Sequence, residues 1–278
     1  MPELPEVETM VRGIRSDCVG RRIERTLYPT CHRKPIQIAP GRRQFVKQTE
    51  GRLITEIRRL AKRVVLRLDS GNNVVVEPRM TGLMLLTDPP TREHRRVCFE
   101  LSAAQGKAVS LEFWDRRGLG TMSLMTPELF RDLESRLGKD ALELAFEDWA
   151  SILSQTEREI KIVLLDQSRV AGIGNLYASE ILHEARISPF RAASSLSSQQ
   201  IRKLMNATNR ILQEAISYEG STLGDGTYRN ALNKDGSYQN QHRVYQRAKL
   251  PCPSCGKATL QRAVQAQRST FFCARCQK

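Results

Sequence analysis

Four cysteines crowd the carboxyl end of the chain in the pattern C-x2-C-x17-C-x2-C: Cys252, Cys255, Cys273 and Cys276. Two thiolate pairs, each on a tight knuckle with Pro253 or Gly256 beside it, offer four soft ligands to a tetrahedral zinc ion. The protein would fill every coordination position, so the metal would be structural. A redox-active dithiol is the rival use of such pairs. Between them, AVQAQRSTFF reads as a hairpin of two short strands, whose tip offers Arg268 either to a phosphate or to solvent. Cys18, Cys31 and Cys98 sit among apolar neighbours and read as buried free thiols. The odd total of seven argues for a reducing compartment rather than a disulfide framework.

The second reactive group opens the chain, MPELPEVETM. Once the initiator methionine is removed, as a small second residue favours, Pro2 is a free secondary amine. Glu3 adjoins it and Glu6 follows one turn on. A secondary amine condensing with an aldehyde gives an iminium that is positive at any pH. That is an electron sink suited to abstraction of the adjacent proton and β-elimination. The carboxylates could serve as general acid and general base. The same residues also suit a plain helix start, where proline is tolerated and acidic groups meet the positive end of the dipole.

Three kinds of element must position these groups. Val7, Met10, Val11, Ile14 and Cys18 recur at helical spacing, which predicts one amphipathic helix over 2–18. Short, partly alternating, β-branched runs at 52–57, 63–68, 73–76, 97–101, 108–114 and 121–125 follow, punctuated by Ser70-Gly71-Asn72 and Gln105-Gly106. Consecutive strands without intervening helices predict an antiparallel sandwich. After Pro127 the pattern turns helical at 128–137, 146–153, 157–165, 176–185 and 198–218. DQSRVAGIGN at 166–175 is a glycine-containing connector, and the polar stretch 220–241 is a lid or mobile-loop candidate.

Composition bounds the partner. The 278 residues are 40% apolar, enough for two packed domains and a small third module, and carry a net charge of +14. Folding does not need such an excess, and nucleic acid is the default acidic partner. No run of ~18 apolar residues could span a membrane. The acidic amino end lacks the apolar core of a secretory signal. A soluble, basic, intracellular protein is expected.

PELPEVE at 2–8, DQSRVAGIGNLYASEIL at 166–182 and PCPSCG…QRSTFFCARCQK at 251–278 closely resemble the formamidopyrimidine-DNA glycosylase family and its endonuclease VIII relatives, in order and across the whole chain. The resemblance implies an α+β multidomain fold: an N-terminal helix and β-sandwich over 1–140, a helical helix–two-turn–helix domain with the lesion lid over 141–242, and a β-hairpin zinc ribbon over 243–278. It implies a bacterial, cytoplasmic, nucleoid-associated monomer that holds one structural zinc and binds damaged double-stranded DNA in the cleft between the first two domains. Such an enzyme excises 8-oxoguanine and formamidopyrimidines, then cuts the strand by β,δ-elimination. Pro2 would attack C1′, Glu3 would protonate the deoxyribose ring oxygen, and Glu6 would fix the helix and the proline.

The binding positions carry over one at a time. Lys62, Asn175 and Arg268 match phosphate-contacting residues, with Gly172 and Gly174 allowing close approach of main-chain amides and Glu180 ordering the turn. Met80 matches a residue that fills the stack vacated by the flipped base, although without the resemblance it reads as core. Arg117 matches the arginine that addresses the orphaned cytosine. Thr227 and Tyr228, preceded by two extra residues, match lid positions whose main-chain amides wrap the base. Two positions depart from the family. Glu77 stands where a histidine contacts phosphate, which leaves that contact to Arg79, and Leu119 replaces an aromatic wedge. Rival readings are an endonuclease VIII-like preference for oxidised pyrimidines and a non-catalytic damage-binding protein. An unrelated zinc-ribbon transcription factor would leave PELPEVE without a use.

Overall fold

The computed structural model describes residues 2–104, 107–224 and 226–278. Met1, on whose removal the Pro2 chemistry depends, and the expected Gln105-Gly106 turn lie outside the described residues. The chain divides into two compact units, Met1–Ser135 with Tyr218–Gln239, and Arg136–Ser217 with Asn240–Lys278. Among the described residues no helix is long and apolar enough to cross a membrane.

In the first unit, α1 (Leu4–Cys18) buries Val7, Met10, Val11, Ile14 and Cys18 on the single face their spacing defines. Along the chain follow β1 (Ile23–Leu27), β2 (Gln37–Ala39), α2 (Arg42–Thr49), β3 (Ile54–Leu60), β4 (Arg63–Leu68), β5 (Asn73–Glu77), β6 (Gly82–Leu85), β7 (Arg95–Ala104), β8 (Lys107–Asp115), β9 (Thr121–Met125) and α3 (Pro127–Ser135). They form two sheets, ordered β1-β7-β8-β6 and β2-β9-β5-β4-β3. One core joins Phe99, Leu111 and Phe113 of the first sheet, Val64, Leu66, Val74 and Met122 of the second, and the apolar face of α1. The opposite face of β4 and β5 is not solvated: Val65 and Val75 pack against Phe130 of α3. The sandwich is not wholly antiparallel, because the edge strand β2 pairs parallel to β9.

The second unit carries β10 (Lys139–Asp140), α4 (Phe146–Ser154), α5 (Ile160–Leu165), β11 (Val170–Ala171), α6 (Asn175–Ala185), α7 (Ser198–Ser217), β12 (Gln261–Gln265) and β13 (Arg268–Phe272). Trp149, Val163, Tyr177, Ile181, Leu204 and Ile211 are fully buried among its helices. β12 and β13 pair in register from Gln261↔Phe272 to Gln265↔Arg268. The intervening Ala266 and Gln267 both have positive φ, 45° and 59°, the geometry of a tight two-residue hairpin turn.

The stretch expected as a lid on the helical domain is assigned by its contacts to the β unit. Leu86 N donates to Ala231 O at 2.9 Å, and Asn233 Nδ2 donates to Asp88 O at 3.0 Å. A Cβ on Gly13 would lie 2.6 Å from Ala231 Cβ, so helix and loop meet where only glycine fits. Thr222 is a second anchor: its Oγ1 donates to Tyr228 O at 2.7 Å and accepts from Gly236 N at 2.9 Å.

Candidate active site and metal centre

The amino end of α1 is built into the first unit. Pro2 is buried, and Glu3 and Glu6 are 3% and 2% exposed. The Glu6 carboxylate is a bridge. Oε2 accepts from Glu3 N and Oε1 from Ser221 N, each at 2.9 Å. One oxygen thus closes the first turn of the helix and the other fastens the loop that begins at 220. The Tyr228 phenol is committed to the same junction, with Oη 3.0 Å from Glu219 O and 3.3 Å from Glu6 O. Burial, then the Glu6 charge, pushes that phenol well above its ordinary value, so it remains a donor. Pro2, Met80, Thr81, Leu83, Ser221, Thr227 and Tyr228 are among the residues around a pocket of about 10 Å³. That is space for about one water.

Gly220 makes the junction possible. Its φ is +79°, and a Cβ there would lie 2.9 Å from both Glu6 Cγ and Oε1. Gly220→Ala therefore combines a left-handed strain with displacement of the bridging carboxylate. The expected cost is about 2–3 kcal/mol, read as a lowered denaturation midpoint with unchanged slope.

Met80, Arg117 and Leu119 project from two loops of the same unit. Met80 and Leu119 are each 37% exposed and Arg117 is exposed, so Met80 is not a core residue. The loops share one anchor that the sequence did not reveal. Asp115 is fully buried. It accepts from the Thr81 hydroxyl in a short hydrogen bond, from Arg117 N at 3.1 Å and from Gly120 N at 2.8 Å. Arg96 supports the same turn by donating to Asp115 O at 2.8 Å. Glu77 is neutralised on both sides, by Arg63 at 3.4 Å and by the half-exposed Arg79 at 3.6 Å. Lys62 is not on a strand. With Ala61 it forms the two-residue turn between β3 and β4, where Leu60 pairs with Arg63.

In the second unit the four cysteine sulfurs lie within 4.8 Å of one another. Two of the pairs, Cys252–Cys276 and Cys255–Cys273, are 3.7 and 3.9 Å apart. A tetrahedron with metal–sulfur bonds of about 2.3 Å has edges of about 3.8 Å, so the set fits zinc. The Lys257 backbone N–H beside Cys255 holds that thiol down at about 6, preparing one thiolate. The ribbon is docked by buried polar groups. Lys161, fully buried on α5, donates to Ser269 O at 3.0 Å and to Thr270 Oγ1 at 2.6 Å. Asn175, first residue of α6, donates to the same Ser269 carbonyl at 2.9 Å. Two expected phosphate contacts, Asn175 and the exposed Arg268, are thereby tied through one intervening residue, Ser269. Glu180, expected to order the glycine-containing turn at 172–174, instead accepts from the backbone amides of Arg243, Val244 and Tyr245 at 2.9, 3.0 and 2.8 Å and orders the entry to the ribbon. Burial pushes its carboxyl up against the pull of those amides.

Burial, with Arg243 near one and Arg247 near the other, pushes His183 and His242 down to about 4. The unfolded chain protonates first, near the ordinary value of 6.5. Stability is therefore full above pH 6.5 and falls as the pH drops toward 4. His242→Phe should remove a loss of about 3 kcal/mol across that window, measured as denaturant midpoints of variant and wild type against pH. Equal slopes would show that His242 does not titrate on unfolding.

The family model for the formamidopyrimidine-DNA glycosylase N-terminal domain matches residues 1–122. The model for the formamidopyrimidine-DNA glycosylase H2TH domain matches 137–226, and that for the zinc finger found in FPG and IleRS matches 249–278. Formamidopyrimidine-DNA glycosylases of Chloroflexus aurantiacus and Thermus thermophilus are each 38% identical to this chain, over 279 and 281 residues. Both alignments cover 100% of this chain and 98% of the relative. The crystal structure of the MutM (Fpg) protein from Thermus thermophilus superposes with a TM-score of 0.85 at 37% identity, covering 99% of this chain and 98% of that one. The Lactococcus lactis Fpg in complex with abasic site-containing DNA gives 0.86 at 28% identity, covering 99% of both.

Proposed function

We propose that this chain, which belongs to the formamidopyrimidine-DNA glycosylase family, excises oxidised purines from duplex DNA and cuts the strand through an iminium on Pro2. As a family member it is a DNA glycosylase of base excision repair that holds one structural zinc on its four clustered cysteines. The observation that carries the finer reading is the placement of Pro2. It is buried at the start of α1, next to Glu3, with Glu6 bridging Glu3 N to Ser221 N beside the small pocket.

The chemistry follows from that placement. With Met1 removed, the Pro2 nitrogen is a secondary amine whose lone pair can attack C1′. As the N–C1′ bond forms, the damaged base leaves with the electron pair of its glycosidic bond and takes up the proton that the Pro2 nitrogen gives up. Glu3 delivers a proton to the ring oxygen, the sugar opens, and the nitrogen becomes an iminium. Loss of the C2′ proton then expels the 3′ phosphate, and a second elimination expels the 5′ phosphate. Glu6 acts through position, holding Glu3 and the loop at 221 in register. Thr227 and Tyr228 are assigned to the base, and Tyr228 offers it only main-chain groups because its phenol is engaged at Glu6 and Glu219.

For the duplex, Lys62, Arg79, Asn175 and Arg268 are assigned to phosphates, where the +14 charge is spent. Met80, Leu119 and Arg117 are assigned to the vacated stack and the opposite base. The enzyme acts as a monomer in the cytoplasm. The test is strand nicking of duplexes carrying 8-oxoguanine, formamidopyrimidine, an oxidised pyrimidine or an abasic site. The two purine lesions and the abasic site should be cut faster than the pyrimidine lesion. Faster cutting of the pyrimidine overturns the substrate assignment, and cutting of the abasic site alone overturns the glycosylase step for these lesions.

A further inference from the structure

The zinc-binding sulfurs are not held by the knuckles alone. Cys252 Sγ lies 3.5 Å from Nε2 of His183, within hydrogen-bond reach of a sulfur. Both residues are buried, 1% and 2% exposed, and His183 stands on the last turn of α6. Its other ring nitrogen, Nδ1, has no hydrogen-bond partner among the described residues. A metal-bound thiolate has no proton to give and can only accept, so the contact requires the imidazole proton to sit on Nε2. The backbone amides of Ser254 and Cys255 already point at the same sulfur.

We propose that His183 is a positioning residue for the zinc centre, donating an N–H···S hydrogen bond from Nε2 to Cys252 and joining the last turn of α6 to the metal. This holds whichever lesion the enzyme excises. The ribbon then grips α6 at both ends, through Asn175 and Ser269 O at its start and through His183 and Cys252 Sγ at its finish. Outer partners of this kind steady a ligand and commonly change metal affinity by about 10–100-fold.

The test uses the full chain loaded with metal. Long-range proton–nitrogen NMR of the wild type should find His183 protonated on Nε2. In cadmium-113-loaded protein that proton should couple to the metal across the sulfur. In cobalt-loaded protein, His183→Phe keeps a ring but removes the donor, so the sulfur-to-cobalt charge-transfer band should move to lower energy. The same variant should lose zinc to a chelator about 10-fold faster or more, and His183→Gln, which retains a donor, should recover part of both changes. A proton on Nδ1 overturns the proposal, as does a direct cadmium–nitrogen coupling that makes His183 a ligand. An unshifted band with an unchanged zinc-loss rate in folded His183→Phe overturns it as well. Should that variant not fold, the wild-type NMR measurement decides alone.

Discussion

Borohydride added during turnover on lesion duplex should freeze the protein onto DNA, with peptide mass placing the adduct on residue 2. The expectation rests on one property of nitrogen: an amine has a lone pair to give, and an amide does not. Placing one additional residue ahead of Pro2 converts its nitrogen to a tertiary amide while α1 and its core are retained. That variant should give no adduct and no measurable excision, and intact mass verifies its terminus. Glu3→Gln separates two proton transfers. Removing a positioned acid typically costs on the order of 10²–10⁴ in rate. The loss should be far larger on 8-oxoguanine duplex than on a preformed abasic site, where no base remains to be expelled. An adduct mapped to a lysine, with the extended variant fully active, would falsify the assignment of Pro2. Equal losses on the two substrates would remove Glu3 from the excision step.

What the sequence reveals, and where it is silent, follows from how far each interaction reaches. The zinc ligands are legible because coordination chemistry fixes local spacing, and β9 is legible because its residues alternate between faces. β6 is not: all four of its residues are buried, so GLML carries no alternation. α2 is missed because RRQFVKQT buries only Phe45 and Thr49. The reactive Pro2-Glu3-Glu6 group is visible as a motif, yet the Glu6 bridge to Ser221 spans 215 residues and leaves no local trace. Nothing local marks Lys161 as buried, because the Thr270 hydroxyl that accepts its hydrogen bond lies 109 residues on. Asp115 is likewise an ordinary turn residue until Thr81 and Gly120 converge on it. The stretch at 220–241 looks like a free loop because its polar residues bond to one another and to α1, which composition alone does not distinguish from solvation.

Metal loss should undo the DNA grip while sparing the reactive end of the chain. Cys252→Ser removes one of four ligands from a site whose zinc commonly contributes about 10–16 kcal/mol to folding its module, so the ribbon should unfold locally. The damage should not stop there. Unfolding of β13 takes Ser269 O and Thr270 Oγ1 away from the buried Lys161 ammonium and Ser269 O from Asn175. Stripping a buried charge of its partners is strongly destabilising, on the order of 3–5 kcal/mol. Hydrogen exchange should therefore rise through 243–278 and spread into α5 and the start of α6, while the β-sandwich core around Phe99 and Phe113 stays protected. Affinity for abasic-site duplex should fall at least 10-fold, and the salt slope should shrink by about 1 for the lost Arg268 contact. Arg268→Ala, with zinc and fold intact, should reproduce the change in salt slope without the change in exchange. Metal-free protein that binds the duplex with unaltered affinity and slope would leave the ribbon, Arg268 and the Lys161 anchor without a part in recognition.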